Sequence, residues 1–248
     1  MAEQRITTTE LLTDFKVLCF DVYGTLVDWE SGILKALQPM LEKSGKSDLD
    51  PKQTLATCHK VSSAAQRESP GLAYSELLTT IHPKICQTFG LQEPTEQESK
   101  AFGASVGQFE AFPDSVSALK QLSKRYKLVV LSNVDNASFA ATNAGPLEGF
   151  KFDAVFTAQD IGSYKPDLRN FEYMLKEVKS RWGFEKEQVL STAQSQFHDH
   201  HPAREMGMDS AWIYRPDAIM GNRDDPVYRW KFDTLQELAT LADSEGGI

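Results

Sequence analysis

The run Lys16-Val17-Leu18-Cys19-Phe20-Asp21-Val22-Tyr23-Gly24-Thr25-Leu26-Val27-Asp28 holds the residues best placed to do chemistry. An apolar stretch stops at an aspartate, and a glycine and a threonine follow at once. That pattern describes a buried strand delivering a carboxylate to its carboxyl end, with a tight turn beyond it. In open α/β sheets, ligands bind at that edge. A carboxylate held there can act as a nucleophile, as it does in aspartyl-phosphate and glycosyl enzymes. The same residues would also suit an aspartate that caps a helix or closes a turn. Further polar groups stand after other short runs: Ser132-Asn133, Lys165 before Pro166-Asp167, and the run from Gln194 to Asp199.

Positioning these groups at one edge requires alternating strands and helices. From residue 110 onward the pattern alternates. Ser115 to Lys124 has helical spacing, Lys127 to Asn133 reads as a strand, and Asn136 to Ala144 as a helix stopped by Gly145-Pro146. Phe152 to Phe156, Gln188 to Ser191 and Ser210 to Tyr214 read as further strands, with helices over Leu168–Arg181 and His201–Met206. Such alternation predicts a parallel sheet wrapped by helices through right-handed crossovers. The region 31–107 differs, with helical periodicity over Ile33–Lys43, Lys52–Gln66, Tyr74–Phe89 and Glu96–Gln108 and no convincing strand. It reads as a helical cap inserted into a core built from residues 1–30 and 108–248, able to close on a substrate and exclude water. The fold class expected is therefore α/β, a Rossmann-like doubly wound parallel sheet with a helical cap. Asp217 to Pro226 reads as a surface loop, and Asp243 to Ile248 as a frayed tail.

Composition narrows the partners. The 248 residues are 41% hydrophobic, enough to bury a full core, and 26 basic residues face 35 acidic ones for a net charge of -9. No basic stripe suited to a duplex is present, so nucleic acid is not expected as a partner. The apolar runs are strand length, far below the roughly 18 residues that span a bilayer, so no membrane is expected either. The polar start Met1-Ala2-Glu3-Gln4-Arg5 lacks the apolar segment of a secretory signal. Cys19, Cys58 and Cys86 are odd in number and widely spaced, which suits free thiols in a reducing, cytoplasmic setting and not a zinc site.

Phe20-Asp21-Val22-Tyr23-Gly24-Thr25-Leu26, Leu131-Ser132-Asn133, Tyr164-Lys165-Pro166-Asp167 and Gln194-Ser195-Gln196-Phe197-His198-Asp199 stand in order at expected strand ends. In these motifs the chain resembles the haloacid dehalogenase superfamily of hydrolases, over nearly its whole length. Tyr23 separates branches within that superfamily. The phosphatases carry a second aspartate two residues after the nucleophile to protonate the leaving alcohol. A tyrosine, with an ordinary pKa of about 10, is poorly suited to that task. A halide leaves as a stable anion and needs no proton. The Asp-x-Tyr-Gly-Thr-Leu form is similar to the L-2-haloacid dehalogenases. The resemblance implies that Asp21 displaces halide and forms an ester, that Asp199 activates the water that cleaves it, and that Lys165 keeps Asp21 ionised. It implies substrate-side roles for Tyr23, Thr25, Ser132, Asn133, Gln196 and His198. It also implies a small-molecule substrate, a possible homodimer and no cofactor.

Three departures accompany the match. Gln194 and Gln196 stand where the dehalogenases usually have Ser and Asn. No arginine is evident early in the cap, and the nearest cations, His59, Lys60 and Arg67, are expected to face solvent. In His198-Asp199-His200-His201, adjacent side chains diverge, so Asp199 and His198 are expected in the site and His200 and His201 as capping or surface residues. The alternatives are a phosphatase using Mg²⁺ at Asp21 and Asp199, and a non-catalytic binding protein that retains the fold. Replacement of an acid by Gln194 removes an anionic ligand, which favours chemistry without a metal.

Overall fold

The computed structural model describes residues 11–46 and 49–247; the expectations for Met1–Arg5 and Ile248 lie outside them. The elements are β1 (Val17–Phe20), α1 (Trp29–Lys43), α2 (Pro51–Glu68), α3 (Tyr74–Thr88), α4 (Glu96–Ala104), α5 (Ser115–Leu122), β2 (Lys127–Ser132), α6 (Asn136–Ala144), β3 (Ala154–Thr157), α7 (Ala158–Ile161) and α8 (Arg169–Trp182). They continue with β4 (Val189–Ala193), α9 (His201–Glu205), β5 (Ser210–Ile213), β6 (Trp230–Phe232) and α10 (Leu235–Glu245).

The six strands form one sheet in the order β3-β2-β1-β4-β5-β6, and every neighbouring pair is parallel. Strand order reverses at β1, which has β2 on one side and β4 on the other. The crevice beyond its carboxyl end is the point where open α/β sheets bind ligands. All four residues of β1 are buried, so it reads as a continuous apolar run, as a strand covered on both faces must. Its side chains alternate between layers. Leu18 and Phe20 join the large core with Leu128, Val130 and Leu190, while Val17 and Cys19 pack with Phe171, Met174 and Val178 of α8. Among the described residues no helix is long and apolar enough to cross a membrane.

Between β1 and β2 the chain makes four helices before α5, and local chemistry sets their ends. The Asp28 carboxylate accepts from Ser31 N, capping α1, and Asp50 does the same for α2 with Pro51 in the first turn. Thr95 and Glu98 form a reciprocal capping box on α4. Asp135 does two jobs: it caps α6 through Ser138 and accepts from the amide and hydroxyl of Ser75 at the start of α3. One buried carboxylate thereby ties the inserted helices to the sheet.

Several boundaries differ from the sequence reading. The expected helix Glu96–Gln108 ends as α at Ala104 and tightens into a 3-10 turn over Ser105–Gln108. The expected frayed tail is helical through Glu245. A sixth strand, β6, lies in a segment too short to carry a pattern. Gly103 of α4 sits so close to α3 that a Cβ would run into Thr79 Oγ1 and the Ser75 carbonyl. Gly103→Val is expected to destabilise the protein by about 1–3 kcal/mol through overpacking. An unchanged urea midpoint, at unchanged slope, would contradict that close approach.

Candidate active site

Asp21 follows β1 directly, and its amide donates to Thr192 O of β4 at 3.1 Å. The chain then turns sharply: Gly24 has φ +98°, a conformation glycine adopts without steric cost, and its amide donates to Val27 O at 2.7 Å. The turn brings Thr25 back under Asp21. Thr25 Oγ1 donates to Asp21 Oδ2 at 2.7 Å and accepts from Gln194 N at 2.9 Å. The Arg215 guanidinium braces the same turn with two hydrogen bonds to Thr25 O, at 3.1 and 2.7 Å, and pairs with Asp114 at 2.7 Å. Nothing in the sequence around Arg215 marks it as a brace, because its partners lie 190 and 101 residues away.

Lys165 comes from the loop between α7 and α8 and is 1% exposed. Its ammonium makes three hydrogen bonds, to Asp21 Oδ1 at 2.9 Å, Asp199 Oδ1 at 2.6 Å and Leu131 O at 2.8 Å. All three donors are used, so the buried charge is fully satisfied. Burial pulls the ammonium pKa down, but the charges of Asp199 and Asp21 outweigh it and hold it above the usual lysine range. Asn133 fixes the loop backbone, donating to Lys165 O at 2.9 Å and accepting from Lys165 N at 2.7 Å. Asp199 rides on a π-helical turn over Gln196–His200, a local bulge often found at functional sites. Its Oδ2 is buried and has no partner. Burial, then the charge of Asp21, raise the Asp199 pKa, and Lys165 opposes them.

These groups open onto a cavity of about 250 Å³. The sheet edge supplies Asp21, Tyr23, Ser132, Asn133, Lys165, His198 and Asp199, and the inserted helices supply Trp29, Glu30, His59, Ser62, Ser63, Gln66 and Tyr74. Ser132 Oγ is buried without a partner. Tyr23 reaches the wall, but its hydroxyl is hydrogen-bonded to Thr142 Oγ1 at 2.7 Å, and burial pushes its pKa above the ordinary tyrosine value. His198 Nδ1 pairs with Ser195 Oγ at 3.1 Å. Burial, with Lys165 and His59 nearby, lowers its pKa to about 3, so its imidazole is neutral at pH 7.

Four expectations need correction. Thr25 does not reach the cavity: it is wholly buried, its hydroxyl donating to Asp21 Oδ2 and accepting from Gln194 N. Gln196 does not reach the cavity: its Oε1 accepts from Val227 N at 2.8 Å, turning the side chain toward the loop before β6. His59 does not face solvent but lines the cavity, its ring 5.7 Å from that of His198; it lies on the inner face of α2 while Lys60 and Arg67 are exposed. His200 is not a surface residue, and although it stands at the N-cap position of α9 its side chain makes no capping bond. It is wholly buried, with Nδ1 2.8 Å from Ser210 Oγ and Nε2 2.9 Å from Ala193 O, and it staples β4 to β5. Sequence reasoning also missed Met220, Gly221 and Asn222, which line the cavity although they belong to the stretch read as a surface loop.

Asp21 and Asp199 are the two carboxylates on which a magnesium ion would draw, and among the described residues no larger group of His, Cys, Asp or Glu side chains is placed to hold a metal. One oxygen of each carboxylate is already taken by Lys165, and the Gln194 amide donates to Met220 O and Asn222 Oδ1. What the arrangement does offer is a carboxylate oriented from both oxygens, beside a second carboxylate with one free oxygen. Replacing Lys165 leaves two carboxylates buried together, which costs about 3–5 kcal/mol when a buried pair loses its partner. The unpaired carboxyls then bind protons more tightly folded than unfolded, so stability rises as pH falls. Lys165→Met is expected to be strongly destabilised at pH 7 and partly restored near pH 5. A urea midpoint for that variant that does not rise on acidification would refute this.

A family model described as haloacid dehalogenase-like hydrolase matches residues 15–190. The chain is 24% identical over 239 residues to the (S)-2-haloacid dehalogenase of Pseudomonas sp. (strain YL), covering 94% of this chain and 96% of that one. It is 23% identical over 210 residues to the pyrimidine 5'-nucleotidase PynA of Streptococcus pneumoniae, covering 82% and 84%. The solved L-2-haloacid dehalogenase from Xanthobacter autotrophicus superposes with a TM-score of 0.74 at 19% identity, covering 92% of this chain and 98% of that one.

Proposed function

This chain belongs to the haloacid dehalogenase-like hydrolases, and within that family we propose that it hydrolyses short 2-haloalkanoic acids through an ester on Asp21. The observation that carries this reading is the state of Tyr23. The position that would supply a leaving-group acid holds a phenol whose hydroxyl is engaged with Thr142 and whose pKa is raised by burial. An alkoxide released from a phosphate ester needs a proton. A halide does not.

In the proposed sequence, an Asp21 oxygen forms a bond to C2 of the substrate as the carbon–halogen bond breaks, and the halide leaves with the electron pair. Thr25 and Lys165 hold one carboxylate oxygen each, so the nucleophile is aimed before substrate arrives. Water then attacks the Asp21 carbonyl carbon, with Asp199 Oδ2, the free oxygen, taking its proton. The Lys165 ammonium is placed to stabilise the oxyanion that develops. Collapse breaks the ester, Asp199 returns its proton to the departing 2-hydroxy acid, and one proton passes to solvent as Asp21 ionises again. The inserted helices over 31–107 serve as the cap. No step calls on a metal.

A phosphate ester processed with Mg²⁺ is the second reading, and the similarity to a nucleotidase favours it. Halide release from L-2-chloropropionate and chloroacetate in EDTA, beside p-nitrophenyl phosphate turnover with Mg²⁺, separates the two. The expected result is EDTA-insensitive halide release, reduced on the order of 10³-fold or more in Asp21→Asn. Phosphate release alone would overturn the proposal. The raised pKa of Asp199 adds a pH signature: a general base works only when ionised, so the acid limb of kcat should lie above the ordinary carboxylate range of about 4. Asp199→Asn should release one equivalent of halide per enzyme and then stall. A flat kcat down to pH 4, or sustained turnover by that variant, would remove Asp199 from the role of base.

A further inference from the structure

A second cavity, of about 450 Å³, lies against the first. Gly24, Glu30 and Gln194 line both. Between them runs the segment Ile219-Met220-Gly221-Asn222, held from two sides. From the first turn of α1, the Glu30 carboxylate accepts from Ile219 N at 2.9 and 3.0 Å and from Met220 N at 2.6 Å. From the sheet, Gln194 Nε2 donates to Met220 O at 2.9 Å and Asn222 Oδ1 at 3.3 Å. The Gln196 backbone N–H adds a bond to Gly221 O at 2.8 Å. Gly221, at φ +84°, packs so closely that a Cβ there would strike Gln194 Oε1. Burial raises the Glu30 pKa against the pull of the two amides, yet the carboxylate's geometry alone defines the clamp. Met220, Gly221 and Asn222 face the first cavity, while Ile219 faces the second beside Leu34, Phe112 and Pro113.

We propose that this partition, Ile219 to Asn222 clamped by Glu30 and Gln194, sets substrate length by closing the reacting cavity against a neighbouring cleft that a longer alkyl tail would otherwise enter. Of the glutamines that depart from the dehalogenase pattern, Gln194 thus acts as a positioning residue for a wall. Its side chain fixes the cavity face, while Gln196 gives the wall only its backbone N–H and directs its side chain to Val227, beyond it. The second cleft offers a hydrocarbon tail Leu34, Phe112 and Ile219, while Asp28, Asp114, Asp217 and Asp233, facing one arginine already paired, would repel a second carboxylate. The proposal rests on the dehalogenase reading for the substrate's reactive end, but not for the wall itself.

The test compares wild type with Glu30→Ala and Gln194→Ala, which loosen the wall from opposite sides, after thermal unfolding shows which variants are folded. Binding of the unreactive probes propionate and hexanoate is measured by NMR titration, and kcat/KM for 2-chloropropionate and 2-chlorohexanoate by halide release. The expected result is a rise of roughly tenfold or more in the hexanoate-to-propionate affinity ratio, because three further methylenes become buried. The turnover ratio should rise in parallel, through KM more than kcat. A raised affinity ratio with no halide released from either chloroacid would support the partition while sinking the dehalogenase reading. An affinity ratio unchanged in a folded variant would overturn the partition, whatever the turnover.

Discussion

One buried lysine between two buried carboxylates governs this molecule. Lys165 is 1% exposed and sits 2.9 Å from Asp21 and 2.6 Å from Asp199. Two carboxylates this close cannot both stay ionised in a low-dielectric site without a cation between them. Taking all three charges out of water is costly, and the geometry offsets that cost only because the ammonium is fully hydrogen-bonded. A chain folding for stability alone could fill the same space with apolar side chains. The trio is better explained by what it maintains, an oriented anionic oxygen beside a second carboxylate with an open valence.

The fold is arranged to hold that trio. Its members arrive from three separate places: the end of β1, the loop after α7 and the π turn after β4. All-parallel pairing brings the strand ends to one edge, and the reversal of order at β1 opens a crevice there. Around it, each functional group is aimed by a neighbour that does no chemistry. Thr25 is braced by Arg215, Lys165 by Asn133, and the cap is anchored through Asp135. The cavity's far wall comes from helices inserted between β1 and β2. Asp21 and its enclosure are thus contributed by segments adjacent in the chain, so variation in the helices can alter the enclosure without moving Asp21.

Much of the sheet edge was legible in the sequence, because strand ends are local signals. An apolar run closed by Asp21-x-x-Gly24-Thr25, and a lysine before Pro166-Asp167, announce themselves within a few residues. The alternation after residue 110 predicted the parallel sheet for the same reason. What escaped was long-range or directional. Helical periodicity placed His59 on α2, but the polar residues there left its inward face indistinguishable from the outward one. Gln194 and Gln196 read as altered site residues because their partners, Met220 and Val227, lie 26 and 31 positions away. Gly221 and its neighbours had the composition of a surface loop, and only the close approach of Gln194 makes them a cavity wall. His200 looked polar and external, yet two hydrogen bonds satisfy both ring nitrogens and let it sit wholly buried. β6 spans three residues, too few for any pattern to register.

If Asp21 itself bonds to the substrate carbon, water attacks the resulting ester at the aspartyl carbonyl. A single turnover of 2-chloropropionate with enzyme in excess, run in H₂¹⁸O, tests it directly by mass spectrometry of product and of the peptide containing Asp21. The first product molecule should carry unlabelled oxygen taken from Asp21, and the label should appear in the Asp21 carboxylate. Label in the first product, with Asp21 unlabelled, would mean that water displaces the halide directly, with no ester formed on Asp21.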